Sequence, residues 1–314
     1  MADGVLDAII VGGGPAGLTA GIYLARARMQ SILVEKQGPG GSPALTEKIE
    51  NYPGFPDGIS GFELVDRMRR QAENFGLEIA AFNPVTGIRE EGGVKVVSTE
   101  DGELKSLGVV VATGMRPAPL GVPGEEEFLG KGVSYCATCD GAFFREATVA
   151  VIGGGNSAAE EALFLTRFAN RIIIVHRRDR LRAGKILQER VLSHPKIEVR
   201  WNRVVKEVLG NGKVRGLVLS DVESEEEEEI AVDGVFLYVG NIPNTDAVRG
   251  LIELDEKGYV ITDASLKTSV DGIYAAGDVR AGAIRQVVVA VGEGARAGMA
   301  VQAHVDELKG TAYK

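Results

Sequence analysis

Two stretches of the chain repeat one pattern of apolar and polar positions. Residues 5–35 read VLDAIIVGGGPAGLTAGIYLARARMQSILVE, and residues 146–176, offset by 141 positions, read EATVAVIGGGNSAAEEALFLTRFANRIIIVH. Each predicts an apolar strand, a glycine-rich turn, an amphipathic helix and a second apolar strand, which is the βαβ unit of a parallel sheet. The expected fold class is therefore α/β, with two Rossmann-like dinucleotide-binding domains in one chain. Between the repeats, residues 114–132 carry Pro117, Pro119, Pro123 and five glycines and read as a linker. A second break falls at GNIPNT, 240–245. The remaining segment, 247–314, holds GIYAAGDV and the helical stretch GEGARAGMAVQAHVDEL, too little for a domain of its own. It is expected to return and complete the first domain. The expected organisation is thus 1–117 with 247–314 as one discontinuous domain and 118–246 inserted in it. Glu225 to Glu229, followed by Ile-Ala-Val, reads as a solvated hairpin tip.

Each glycine-rich turn sits where a dinucleotide site needs it. Gly12-x-Gly14-x-x-Gly17, with Pro15 and Ala16 between, follows a strand and opens a helix. The first glycines let the backbone close on a pyrophosphate, the third lets helix pack on strand, and the phosphates meet the positive helix end. The second copy, Gly153-x-Gly155-x-x-Ala158, uses the alanine that the fingerprint permits. Glu35, 21 residues after Gly14, suits the ribose hydroxyls of an adenosine and repels a 2′-phosphate. The matching position in the second copy is His176, followed by Arg177, Arg178 and later Arg182, donors whose forks suit a phosphate. The first site is expected to hold FAD and the second NADPH.

Composition narrows the reading. The chain has 314 residues, and 44 acidic against 35 basic residues give a net charge of −9, which argues against a nucleic-acid partner. Its 42 glycines are about twice ordinary usage. The N-terminus carries Asp3 and Asp7 in place of a basic n-region, and the apolar run from Val5 to Val11 stops at three glycines. It reads as a strand, with no signal peptide or membrane span expected and the cytoplasm as the default location. The two cysteines, Cys136 and Cys139, form a CxxC followed by Asp140. Zinc is disfavoured, since the only other soft ligands are His176, His194 and His304. A structural bridge over so short a loop is also disfavoured, because it constrains the unfolded chain little. A redox dithiol remains, in which one thiolate attacks an external disulfide and its neighbour resolves the product. Asp140 is the candidate proton shuttle.

Taken in order, GGGPAG at 12–17, CATCDG at 136–141, GGGNSAAEEAL at 153–163, HRRD at 176–179 with Arg182, PNT at 243–245 and GDV at 277–279 closely resemble the low-molecular-weight thioredoxin reductases along the whole chain. That resemblance implies a homodimer with FAD, an NADPH domain inserted in the FAD domain, and thioredoxin or a thioredoxin-like protein as acceptor. It implies that Cys139 faces the flavin, that Cys136 attacks the protein disulfide and that Asp140 is the acid. FAD contacts carried over are Glu35, Lys36, Gly40, Gly41, Ser42, Asn51, Thr113, Gly114, Gly277, Asp278, Arg285, Gln286 and Val287. NADPH contacts are Gly153, Gly155, Asn156, Ser157, Glu160, His176, Arg177, Arg178 and Arg182. One departure stands out: where many members carry Gln after paired glycines, this chain reads Gly40-Gly41-Ser42-Pro43 and loses that amide from the flavin site. The disulfide and the nicotinamide would share one domain, so the resemblance also implies that this domain swivels through the linkers near Pro117 and Pro243. The competing readings are a reductase of another thioredoxin-like protein or small disulfide, a reductase with another electron donor, and a redox-sensing binding protein without turnover. An oxygen-using dithiol oxidase and a ferredoxin-driven reductase are disfavoured by His176-Arg177-Arg178.

Overall fold

The computed structural model describes residues 4–312; Asp3, invoked for the N-terminus, lies outside them. The chain gathers into two compact units, one built from the segments up to Arg116 and from Ile242 onward, the other from Pro117–Asn241. The second crossing thus falls at Asn241, ahead of the expected 246. The reason is local: Thr113 Oγ1 donates to the Asn244 carbonyl at 2.6 Å and Asn244 Nδ2 donates to the Thr113 carbonyl at 2.9 Å. The PNT segment is therefore held by the first unit.

Along the chain, the first unit opens with β1 (Val5–Val11), α1 (Pro15–Arg26), β2 (Ser31–Val34), α2 (Gly61–Asn74), β3 (Glu78–Ala80), β4 (Val85–Glu91), β5 (Val94–Thr99), β6 (Gly102–Val111) and the linker strand β7 (Met115–Pro117). The second unit contains β8 (Val133–Ser134), α3 (Ala137–Asp140), β9 (Thr148–Gly153), α4 (Asn156–Leu165), β10 (Arg171–His176), α5 (Lys185–Ser193) and β11 (Ile197–Trp201). It continues through β12 (Arg203–Gly210), β13 (Val214–Asp221), β14 (Glu227–Ala231) and β15 (Gly234–Tyr238). The return consists of β16 (Asn241–Pro243), β17 (Ile273–Ala275) and α6 (Val287–Lys309).

In the first unit the strands run β3-β2-β1-β6-β5-β4, with β17 also on β6. The strands β3, β2, β1, β6 and β17 are parallel, and β4, β5 and β6 form an antiparallel meander. Both faces of β1 are covered, so apart from Asp7 it reads as an apolar run. Ala8 and Ile10 pack with Leu33 and Val110 beneath Leu18, Leu64 and Val301 of the helices. Ile9 and Val11 pack on the opposite face with Ile32, Val34, Val109 and Val111.

The second unit has a parallel sheet, β11-β10-β9-β15-β8, and a separate antiparallel sheet, β12-β13-β14. Period-two alternation again divides the core. Val149, Val151, Ile172 and Ile174 face α4 and α5, while Ala150, Ile152, Ile173 and Val175 face Leu217 and Leu219 of β13. The expected glutamate tip is corrected: Glu225 and Glu226 lie in the turn, but Glu227–Glu229 belong to β14. That strand is an edge, so its alternate glutamates stay in water while Ile230 packs on the core.

Candidate functional site

The first glycine loop is shaped by contacts too close for side chains. A Cβ on Gly17 would stand 1.8 Å from the Gly12 carbonyl oxygen, so α1 and β1 meet at a distance only glycine allows. Gly12 itself has φ +107° and lies against the Ala112 carbonyl. Pro15 opens α1, and Gly14 caps it without a side-chain acceptor. The first-turn N–H groups are thereby left for an outside anion. Glu35 braces this loop: its Oε2 accepts from Gly13 N–H at 2.6 Å and its Oε1 from Gln37 N–H at 2.9 Å. The Gly40 N–H donates to the Gly13 carbonyl at 2.7 Å, and Gly41, at φ +61°, approaches Gly14. These residues form one cradle.

Other expected flavin contacts gather at the start of α6. Asn51 Nδ2 donates to Gln286 Oε1 at 2.8 Å, Gln286 caps α6 and Val287 is its first residue. Gly277 packs against Ala16 and donates its N–H to Glu293 Oε2 at 2.7 Å. Burial raises the pKa of the Asp278 carboxyl, with the Arg285 charge opposing and Glu293 adding. Asp278 makes no hydrogen bond among the described residues, so its carboxyl remains available to a ligand hydroxyl. The residues present thus fit a dinucleotide with a polyol arm.

Two further expected contacts spend their side chains on protein partners. Arg285 Nη2 donates to Tyr259 Oη at 2.6 Å, with its guanidinium 5.1 Å from that ring centroid. The Thr113 hydroxyl is spent on Asn244, and Gly114 supplies a left-handed turn at φ +61° beside it. Lys36 and Ser42 are exposed, Ser42 opening a short 3-10 turn through Leu45.

In the second unit, Gly153 and Gly155 lead into α4, again capped by glycine without a side-chain acceptor. Asn156 Oδ1 accepts from Gly184 N–H at 2.8 Å, and the Arg182 N–H donates to the Gly154 carbonyl at 2.7 Å. The loop bearing Arg182 is therefore stitched to the glycine turn. Arg177, Arg178 and Arg182 are exposed, and their guanidinium groups have no hydrogen-bond or ion-pair partner among the described residues. Ser157 and Glu160 are exposed on the first turns of α4.

His176 plays a different part from its expected one as a donor to phosphate. Its ring lies beneath Gly154, where a Cβ would meet imidazole atoms at 2.3 Å. Its Nε2 pairs with the Arg180 carbonyl at 3.0 Å. Burial holds its pKa below the usual range, with the three arginine charges adding to the effect against the Arg180 carbonyl. A neutral imidazole supports the loop and leaves the charge to the arginines.

Cys136 and Cys139 form a disulfide around α3. The Cys139 N–H points to Cys136 Sγ at 3.2 Å, and the Cys139 side of the bridge is the exposed one. Ser134 Oγ accepts from Cys136 N–H at 3.0 Å and lies 2.6 Å from Asp140 Oδ2, to which it donates. Asp140 is thus fixed beside the sulfurs. Behind them, Tyr238 Oη accepts from Ala137 N–H at 3.0 Å. Burial, then Glu161, then Asp140 raise the pKa of that phenol, against the Ala137 bond. Glu161 on α4 is the residue that sequence reasoning missed. Its Oε2 is buried without a partner, and burial, reinforced by Glu160, pushes its pKa up to about 7. The signal lay in its spacing, since Glu161 falls three residues after Ala158 and four before Leu165, on the side of the buried stripe of α4, while Glu160 is exposed. Among the described residues no group of three or more His, Cys, Asp or Glu could hold a metal ion, and no helix is long and apolar enough to cross a membrane.

Comparison with known proteins places these features in context. The pattern of the pyridine nucleotide-disulphide oxidoreductase family matches residues 6–294. A thioredoxin reductase of Treponema pallidum (strain Nichols) is 45% identical over 303 residues, covering 96% of this chain and 98% of that protein. One from Bacillus subtilis (strain 168) is 45% identical over 308 residues, covering 98% and 97%. The crystal structure of Lactococcus lactis thioredoxin reductase, in its FR conformation, superposes with a TM-score of 0.94 at 45% identity, covering 96% of this chain and 99% of that one.

Proposed function

The chain belongs to the pyridine nucleotide-disulphide oxidoreductase family and, within it, to the thioredoxin reductases, and from that premise we propose that it passes electrons from NADPH through FAD to Cys136–Cys139 and on to the disulfide of a thioredoxin-type protein. The observation that carries this reading is the disulfide with Asp140 beside it, in the same compact unit as a glycine loop ringed by unpaired arginines. When bound, nicotinamide and flavin supply the two-electron chemistry. The arginines favour a nucleotide carrying an extra phosphate, and Glu35 favours one with free ribose hydroxyls.

The chain's own residues carry the sulfur steps. In the reduced pair, the Cys136 thiolate attacks the acceptor disulfide, forming one mixed S–S bond and releasing one acceptor sulfur as thiolate. Cys139, deprotonated, then attacks Cys136, reforming the internal bond and releasing the second acceptor sulfur. Asp140, oriented by Ser134, holds and delivers protons to the leaving sulfurs. A protein acceptor is favoured by Phe143, an aromatic side chain 82% exposed in the turn that follows α3, four residues past Cys139. We further propose a cytoplasmic homodimer, which light scattering of the flavin-loaded protein tests directly.

The main test is to mix the yellow protein anaerobically with NADPH or with NADH, then add oxidised thioredoxin while following the flavin band. Bleaching by NADPH with recovery on adding thioredoxin supports the proposal; failure of NADPH to bleach it points to another donor. Phe143→Ala is expected to raise KM for thioredoxin about tenfold, the cost of losing one aromatic anchor, and to leave reduction of a small aromatic disulfide unchanged. An equal loss on both substrates would favour a small-disulfide reductase.

A further inference from the structure

Backbone N–H groups on either side of the sulfurs are spent on oxygen atoms. Cys136 N–H donates to Ser134 Oγ at 3.0 Å, Ala137 N–H to Tyr238 Oη at 3.0 Å and Asp140 N–H to the Cys136 carbonyl at 3.2 Å. Two other donors point at sulfur, and both point at the same atom. Cys139 N–H lies 3.2 Å from Cys136 Sγ, and Thr138 Oγ1 lies 3.5 Å from it. A disulfide sulfur carries no hydrogen, so in the second contact the hydroxyl is the donor. Cys139 Sγ accepts from no donor among the described residues. The two sulfurs are therefore unequal, although they share one bond.

We propose that Thr138 is a further catalytic residue of the dithiol, its hydroxyl holding the negative charge of the reduced pair on Cys136 and leaving the proton on Cys139. The proposal rests on reading Cys136–Cys139 as the reacting pair. Reduction breaks the S–S bond with a hydride equivalent, two electrons and one proton, supplied by the nicotinamide chemistry of the family; the products are one thiolate and one thiol. A thiolate accepts hydrogen bonds more strongly than a neutral sulfur. The two donors already aimed at Cys136 Sγ therefore favour its charged form, and the nucleophile is chosen before an acceptor arrives. Cys136 forms the mixed S–S bond and expels one acceptor thiolate. Cys139 passes its proton by way of Asp140 to that leaving sulfur, then closes the internal bond and expels the second, which takes its proton from water. On the elements packed around α3 the titratable groups are Asp140 on α3 itself, Tyr238 on β15, Glu160 and Glu161 on α4, and Tyr135 ahead of Cys136, bonded to Glu125. A change confined to the Thr138 hydroxyl leaves all of them in place.

The test is the pH profile of iodoacetamide alkylation at each cysteine in the flavin-loaded, dithiothreitol-reduced protein. Tandem mass spectrometry resolves the two sites, which share the tryptic peptide between Lys131 and Arg145. Thr138→Val keeps the branched shape and exchanges the hydroxyl for a methyl. The midpoint for Cys136 should rise by about one pH unit with no matching rise at Cys139. Alkylation of Cys136 at pH 6 should slow about threefold, the smaller thiolate fraction being partly offset by a more nucleophilic sulfur. Thr138→Ser, which returns a hydroxyl, should return the wild-type curve. A Cys136 curve in Thr138→Val that superimposes on wild type overturns the proposal, as does an equal rise at both cysteines or a Ser variant that behaves like Val. If Thr138→Val does not fold, Thr138→Ala takes its place with the same expected shift and the same refuting results. Counting thiols after NADPH alone is a separate arm. Should NADPH form none where dithiothreitol forms two, the electron-transfer reading fails, and the alkylation profiles still decide the role of Thr138.

Discussion

Replacing Glu161 by Gln is expected to change how the stability of the second unit depends on pH. In the fold the carboxyl ionises only near pH 7, because burial and then Glu160 disfavour its charge; in the unfolded chain it returns toward 4.5. A group with a raised folded pKa stabilises the fold fully below its unfolded value, and that contribution is lost as pH rises through the folded one. The window is therefore pH 4.5 to about 7. At about 1.4 kcal/mol per unit of separation, wild type loses roughly 2–3 kcal/mol across it, whereas the Gln variant loses none. A buried Gln amide without partners adds about 1–3 kcal/mol of cost at every pH, so the test lies in how the gap between the two proteins moves. His176 and His304, both held below their usual range chiefly by burial, change stability in the opposite sense over these pH values and cancel in the comparison. Trp201, the only tryptophan, lies in β11, so its emission during urea unfolding reports the second unit alone. Between pH 5 and pH 8 the gap should move by about 2 kcal/mol in favour of the variant. A gap that stays constant refutes the buried, proton-holding carboxyl.

Arg177→Ala with Arg178→Ala removes exposed side chains that have no protein partner, so stability should change by less than about 0.5 kcal/mol. Steady-state assays should show kcat/KM for NADPH falling about 10- to 100-fold, the loss of two charge-assisted phosphate contacts, with NADH unchanged; parallel losses with both nucleotides contradict the assignment. Asp140→Asn should slow thioredoxin reduction about a hundredfold while leaving flavin bleaching by NADPH intact, and Cys139→Ser should abolish turnover; stopped-flow absorbance separates the two phases, and a fast Asp140→Asn enzyme would remove the acid role. Gly17→Ala forces a Cβ onto the Gly12 carbonyl and should cost at least about 2 kcal/mol, read as a lower flavin-to-protein absorbance ratio and a lower Tm; a variant that keeps its flavin and Tm would show that the loop relaxes.

The repeated βαβ units were legible because a parallel strand covered on both faces reads as a nearly continuous apolar run, and β1 and β9 do so but for Asp7 and Thr148. Register alone aligned His176 with Glu35, but the task of the imidazole depends on where the Arg180 carbonyl lies, and that is a property of a folded loop. The boundary at Asn241 was hidden for a similar reason, since it follows from hydrogen bonds between Thr113 and Asn244, 131 positions apart. Glu161 shows the limit most clearly. Helical spacing places Glu161 beside the apolar stripe of α4, but only the packing of α3 and β15 on that helix leaves its Oε2 buried without a partner.

The two ends of the second unit meet, with the Ala118 N–H donating to the Gly240 carbonyl at 3.0 Å. The cut in the first unit is stitched just as closely by Thr113 and Asn244. The inserted stretch is thus a cassette: it can be lifted out as a continuous segment, and the host sequence can be rejoined by a short bridge without stretching either piece. The sulfur pair and the arginine-lined loop travel together in that segment, so one recombination event exchanges both as a linked set. The glycine cradle around Gly13, Glu35 and Gly40, on the host side of the seam, is inherited unaltered.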